Sequence, residues 1–335
     1  TINDGVVEIG ADNNLGATPG QLTFNGGTLN TTGTFTLNSN RGITLNGNGT
    51  IDVDSGQKLT YNGIAAGTGN LTKAGTGTLV LGGANSYDGK TILNNGTLSI
   101  SADNNLGAAS GLSDQLTFNG GTLNVSSGFA MDTNRGITLN GNGTIDVDLG
   151  STLDYDGKIV GGAANSLIKT GDGTLELKGP NAYTGTTTIS DGTLKTSGSG
   201  TLDNATDVTV DNGAIYTVGN ADTISVLDNE GTVNVDQDLT ASDITGAGGL
   251  VINSSTTLTA VNTANDSVYT GDISGDGGLT KTGAATLTLS GGSANTYSGA
   301  TNVDAGTLLL SKTAGTDAVS GAVNLNGGTL ELDAD

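Results

Sequence analysis

The chain has 335 residues, and its 33 acidic side chains against 11 basic ones leave a net charge of −22. So few Lys and Arg cannot neutralise a phosphate backbone, which excludes nucleic acid as a partner, and an anionic membrane would repel the chain. With no Cys and no His, disulfides, thiolate chemistry, Ser-His-Asp triads and ordinary zinc sites are excluded.

In chain order, Ile2–Ile9 reads as a first short coil. Gln21–Asn30 (QLTFNGGTLN) and Arg41–Asp54 (RGITLNGNGTIDVD) follow, and both return 94 residues later as Gln115–Asn124 and Arg135–Asp148. Along this 94-residue block Gly-Thr plus an apolar residue recurs at Thr28-Leu29, Thr50-Ile51, Thr78-Leu79 and Thr97-Leu98. Such marks are mostly about 19 to 30 residues apart, the period of one coil in a solenoid. Near-duplicate blocks cover about 21–98 and 115–194, divergent coils 199–277, and repeat-type coils 278–335, with Leu325–Asp335 reading as ordinary coil material. Residues 1–335 are expected to be one continuous segment of a longer chain.

The strands show which face is buried. Leu occupies alternate positions in Thr78-Leu79-Val80-Leu81, Thr174-Leu175-Glu176-Leu177 and Thr286-Leu287-Thr288-Leu289, while the residue between changes from Val to Glu to Thr. Alternation of this kind marks strands with one dry face. Asn-Gly and Asp-Gly pairs such as Asn46-Gly47, Asn140-Gly141 and Asp191-Gly192 supply the corners. Hairpins in an antiparallel meander are the alternative use of such pairs. The coil-length period favours parallel strands, and no helix is expected. The fold class is therefore all-β, a parallel β-helix with coils of roughly 20 residues.

Three segments share a longer pattern. The first reads Leu71-x-Lys73-x-Gly75, Gly77-Thr78-Leu79-x-Leu81, Asn85-x-Tyr87-x-Gly89-x-Thr91, Gly96-Thr97-Leu98. The second keeps Lys169, Gly171, Asn181, Tyr183, Gly185 and Thr187, and the third keeps Lys281, Gly283, Asn295, Tyr297, Gly299 and Thr301. Ala285 departs from it, standing where the others have Gly77 and Gly173. This pattern resembles the passenger-associated β-strand repeat of autotransporters. The resemblance implies a right-handed parallel β-helix passenger, exported through a membrane barrel and displayed on the surface of a Gram-negative bacterium. Such passengers are commonly adhesins, self-associating factors or stalks.

Candidate chemistry is sparse. Ala84–Thr91 is one Gly short of a phosphate-binding loop, and the matching repeats replace Lys90 with Thr186 and Ala300. The carboxylate pairs Asp52/Asp54 and Asp146/Asp148 should lie about 6.5–7 Å apart on one strand face. A solvated acidic face is the leading reading, with weak Ca²⁺ or ligand binding and glycan cleavage as alternatives. Lys73, Lys169 and Lys281 are expected to lay their stems along the coil edge with the charge in water. Tyr87, Tyr183 and Tyr297 are expected to close corners by packing.

No catalytic residue, metal or cofactor is expected, and the segment is read as non-enzymatic. The function expected is that of an extracellular surface fibre or adhesin segment. Its partners would be other copies of itself or surface glycans and proteins. A polysaccharide-active β-helix enzyme and a filament assembled through terminal coils are the alternatives.

Overall fold

Strand-forming alternation decides the architecture. In the computed structural model, which describes residues 1–333, the chain is a parallel β-solenoid with turns of about 22 residues and almost no helix. Ala334 and Asp335, the end of the Leu325–Asp335 and 278–335 readings, lie outside the described residues. The chain divides into two compact units, Thr1–Leu175 and Glu176–Asp335.

In the first unit one ladder runs through Val6–Ile9, Thr28–Thr31, Gly49–Val53, Leu71–Ala74, Thr91–Leu93 and Leu116–Phe118, each pair parallel. A second runs through Lys58–Tyr61, Thr78–Leu81, Thr97–Ile100, Thr122–Val125 and Gly143–Val147. A third joins Leu22–Phe24, Ile43–Leu45, Ala65–Gly67 and Ser86–Tyr87. The antiparallel alternative is thus set aside. Asn-Gly corners do not fold the chain back on itself; they pass it from one face to the next.

The duplicated blocks do not occupy equivalent places. Leu22–Phe24 lies in the third ladder, whereas its copy Leu116–Phe118 lies in the first. Likewise Thr28–Thr31 belongs to the first ladder and its copy Thr122–Val125 to the second. At about 22 residues per turn, a shift of 94 residues is four turns and roughly a third, so the copy is displaced by one face.

The second unit contains shorter coils. Ile215–Val218 pairs with Thr232–Val235, which pairs with Gly249–Ile252, each step being 17 residues. Here the eight-residue strands Asp222–Asn229 and Leu239–Gly246 each span what elsewhere are two strands, and they pair along their length. The divergent stretch is therefore made of tighter coils, below the spacing expected from the Gly-Thr marks.

Each unit has a core of stacked aliphatics. Leu79, Leu81, Leu175, Leu177, Leu287 and Leu289 are all buried, as alternation requires, and all seven tyrosines lie in the interior. Among the described residues no helix is long and apolar enough to cross a membrane. The two short 3₁₀ turns, Asp12–Leu15 and Asp103–Leu106, are the departure from the all-strand expectation.

Corner glycines separate into two kinds. Gly75 has φ +68°, and a Cβ there would lie 2.1 Å from Asp52 Oδ1 and 2.3 Å from the Val53 carbonyl of the coil beneath. Gly56 has φ +72° but open space around it. Gly56→Ala should cost only the left-handed strain, about 1–2 kcal/mol. Gly75→Ala should cost several times more, because a backbone carbonyl cannot move aside. Hydrogen exchange across Val53 and Leu79 in the two variants measures the difference, and equal protection would contradict the close-stacking account.

Candidate functional site

The predicted carboxylates are held in ladders of amides. Asn30 pairs in register with Asp52, and its Nδ2 donates to Asp54 Oδ1 at 2.9 Å. Asn124 pairs with Asp146 and reaches both Asp146 Oδ2 (3.0 Å) and Asp148 Oδ1 (2.8 Å). Ser99 Oγ in turn donates to Asn124 Oδ1. Asp52, Asp54 and Asp146 are half-buried and Asp148 is exposed. A carboxylate that accepts from a neighbouring coil is positioned by stacking. Among the described residues no group of three or more acidic side chains comes together as a metal site.

The lysines overturn the expectation placed on them. Lys73, Lys169 and Lys281 are 1%, 0% and 0% exposed, so their charges are not in water. Lys73 Nζ donates to the carbonyls of Ala74 (2.5 Å), Gly75 (2.8 Å) and Asn95 (3.3 Å). Lys281 does the same to Thr282, Gly283 and Ala305. Lys169 donates to Thr170 and Gly171. A left-handed glycine corner turns carbonyls inward, where no strand partner exists, and the ammonium satisfies them. Burial pulls the Lys73 ammonium down to about 8, with Asp52 acting in the opposite direction.

Two arginines do comparable work that the sequence reading missed. Arg41 is buried, its Nε 3.1 Å from Asp12 Oδ1 and its Nη2 2.9 Å from the Gly16 carbonyl. Arg135 repeats this with Asp103 and the Leu106 and Gly107 carbonyls. The signal was available: ADNNLG recurs at 11–16 and 102–107 upstream of each Arg. Tyr87, Tyr183 and Tyr297 close corners as expected, each hydroxyl 2.6 Å from the Oγ1 of Thr91, Thr187 or Thr301. Lys90 of the near-phosphate loop pairs with Asp114.

The second unit holds one group of a different character. Asp222 occupies an inward position in register with Leu239, and it is 7% exposed. Its Oδ2 accepts from Leu202 N at 2.9 Å and its Oδ1 from Thr223 N at 2.8 Å. Burial pushes the carboxyl up to about 6, although both N–H bonds oppose that shift. An open groove of about 310 Å³ adjoins it, lined by Thr201, Asn204, Thr223, Asp238 and Thr240 as well. Sequence alone could not single out Asp222 among its many acidic neighbours, because its inward placement is visible only once register is known.

Two predictions follow from burial. An amine-acylating reagent at neutral pH should modify exposed Lys58 and Lys158 at least about tenfold faster than Lys73, Lys169 and Lys281, which react only after local opening. Peptide mass spectrometry over time reads this, and equal rates would put the ammonium groups back in solvent. For Asp222 the folded value lies above the ordinary 3.8. Its stabilising contribution is therefore present below 3.8 and is lost as pH rises through about 6, a change of roughly 3 kcal/mol. Asp222→Asn removes that charge and one N–H bond. It should raise protection at Leu202 N by about 1–2 kcal/mol at pH 7.5, with the gain vanishing toward pH 4. Hydrogen exchange at the two pH values checks the sign.

A family model described as the passenger-associated-transport-repeat matches residues 71–100, 167–195 and 279–310. The chain is also similar to the Adhesin BmaC autotransporter of Brucella suis biovar 1 (strain 1330), 42% identical over 134 residues. That alignment takes in 40% of this chain but only 4% of the relative, so the chain spans a small fraction of that protein's length. No solved structure matches the chain.

Proposed function

We propose that this chain, which carries three segments matching the passenger-associated-transport-repeat and is similar over part of its length to an autotransporter adhesin, is a non-enzymatic stretch of an autotransporter passenger and bacterial surface adhesin. It stands outside a Gram-negative cell and presents a long repetitive surface to other copies of itself or to surface glycans and proteins. The observation that carries this reading is where the chemistry lies. Lys73, Lys169, Lys281, Arg41 and Arg135 are spent on backbone carbonyls, and every tyrosine is inside. The outward face carries rows of Thr, Asn and Asp repeated coil by coil, such as Thr28, Thr50 and Thr72.

Such a surface makes many weak contacts of one kind. Each hydrogen bond to a partner is worth about 1 kcal/mol net, too little to hold alone. Repetition turns weak sites into avidity when a partner also repeats. The surface has no exposed Tyr on which a sugar ring could stack, so recognition rests on hydroxyls, amides and carboxylates.

The test is adherence. Beads carrying the purified chain at high density should bind cells or glycan-coated surfaces, or clump with one another, whereas sparsely loaded beads should not. Absence of both at every density would leave a passive spacer. Release of reducing ends from neutral or acidic polysaccharides would contradict the non-enzymatic reading.

A further inference from the structure

The coils between Lys195 and Lys281 contain 12 acidic side chains and no Lys or Arg. An anionic ligand is therefore repelled from this stretch, and a cationic one is attracted. Within it lies the groove beside Asp222. It is lined by Thr201, Thr223 and Thr240, by Asn204, and by Asp222 and Asp238. No large apolar side chain lines it, which excludes a hydrophobic ligand.

A comparison inside the chain shows what is unusual about Asp222. Asn85 Oδ1 accepts from Ala65 N, 20 residues back, and its Nδ2 donates to the Asn105 carbonyl, 20 residues on. Asn295 likewise accepts from Ile273 N and donates to the Ala318 carbonyl. Asp222 keeps the acceptor half of that arrangement, reaching Leu202 N 20 residues back. It has no donor half. A carboxylate thus stands where an amide would complete the ladder, and the groove opens at that place. An inward group that gives up a stacking bond and carries a charge is a candidate for binding.

From the groove a row of threonines continues in register. Thr223 pairs with Thr240, Thr240 with Thr259, and Thr259 with Thr280. The row of hydroxyls therefore repeats at about 4.8 Å, one coil at a time. A ligand that meets a buried carboxylate at one end and hydroxyls along the row should carry amines and hydroxyls on a repeating backbone. We propose that the Asp222 groove and the threonine row leading from it bind an amino-sugar polymer, the protonated amine facing Asp222 and Asp238 and the ring hydroxyls facing the threonines. This rests on the adhesive reading above and gives it a ligand class.

The experiment titrates the purified chain with a glucosamine hexasaccharide, an N-acetylglucosamine hexasaccharide and hexalysine. The pH is held where the sugar amine is protonated and carboxylates are largely ionised. The glucosamine oligomer should bind at least about tenfold more tightly than either comparator, as expected for one charge-assisted bond plus hydroxyl contacts. Asp222→Asn, which installs the amide found at Asn85 and Asn295, should weaken it about tenfold. Thr240→Val, which keeps the charge, should weaken it about fivefold. Equal binding of hexalysine, unchanged binding in either variant, or no binding overturns the proposal. Bead adherence that persists without hexasaccharide binding overturns the amino-sugar site and leaves the adhesive reading. Hexasaccharide binding with these shifts but no adherence does the reverse.

Discussion

Stacking in register is the constraint on which the rest depends. In a parallel solenoid every strand N–H and C=O finds its partner in the coil above or below, so each corner must return the chain at the same height. Corners are where that pairing fails. The structure meets the failure with three devices: glycines in the left-handed region, side chains that accept from the neighbouring coil, and buried cations that collect inward carbonyls. Lys73, Lys169 and Lys281 serve the Gly75, Gly171 and Gly283 corners, while Arg41 and Arg135 hold the loops that begin with the short 3₁₀ turns.

Burying a lone ammonium is ordinarily unfavourable. Here the ammonium meets two or three carbonyls whose own desolvation would otherwise go uncompensated, so charge and corner stabilise one another. This also explains why so acidic a chain leaves little positive charge outside. Five of its eleven cations, Lys73, Lys169, Lys281, Arg41 and Arg135, are buried and structural, and the rest are too few to offset the acidic surface.

Strand alternation was legible because it depends on local order alone. Leu in both inward positions at Leu79/Leu81, Leu175/Leu177 and Leu287/Leu289 fixed the buried face before any contact was known. Tyr87, Tyr183 and Tyr297 were legible for the same reason, since each hydroxyl finds a Thr four residues on. The lysines were misread because a Lys beside a turn looks solvent-facing locally, while its partners include carbonyls a coil away, such as Asn95 for Lys73. Asp222 was invisible among similar neighbours, because its inward position follows from pairing with Leu239. What escaped the sequence is whatever depends on which residues of adjacent coils lie at the same height.

The displacement of the duplicated block by one face has a consequence for how such a surface is built. A 94-residue insert does not close on a whole number of turns, so each copy is rotated by about a third of a revolution from its parent. Tandem copying therefore acts like a screw. It spreads one set of outward side chains around the first unit, and a third copy would complete the circuit. Growth by duplication then yields a surface that offers the same chemistry from several directions, without any new side chain having to arise.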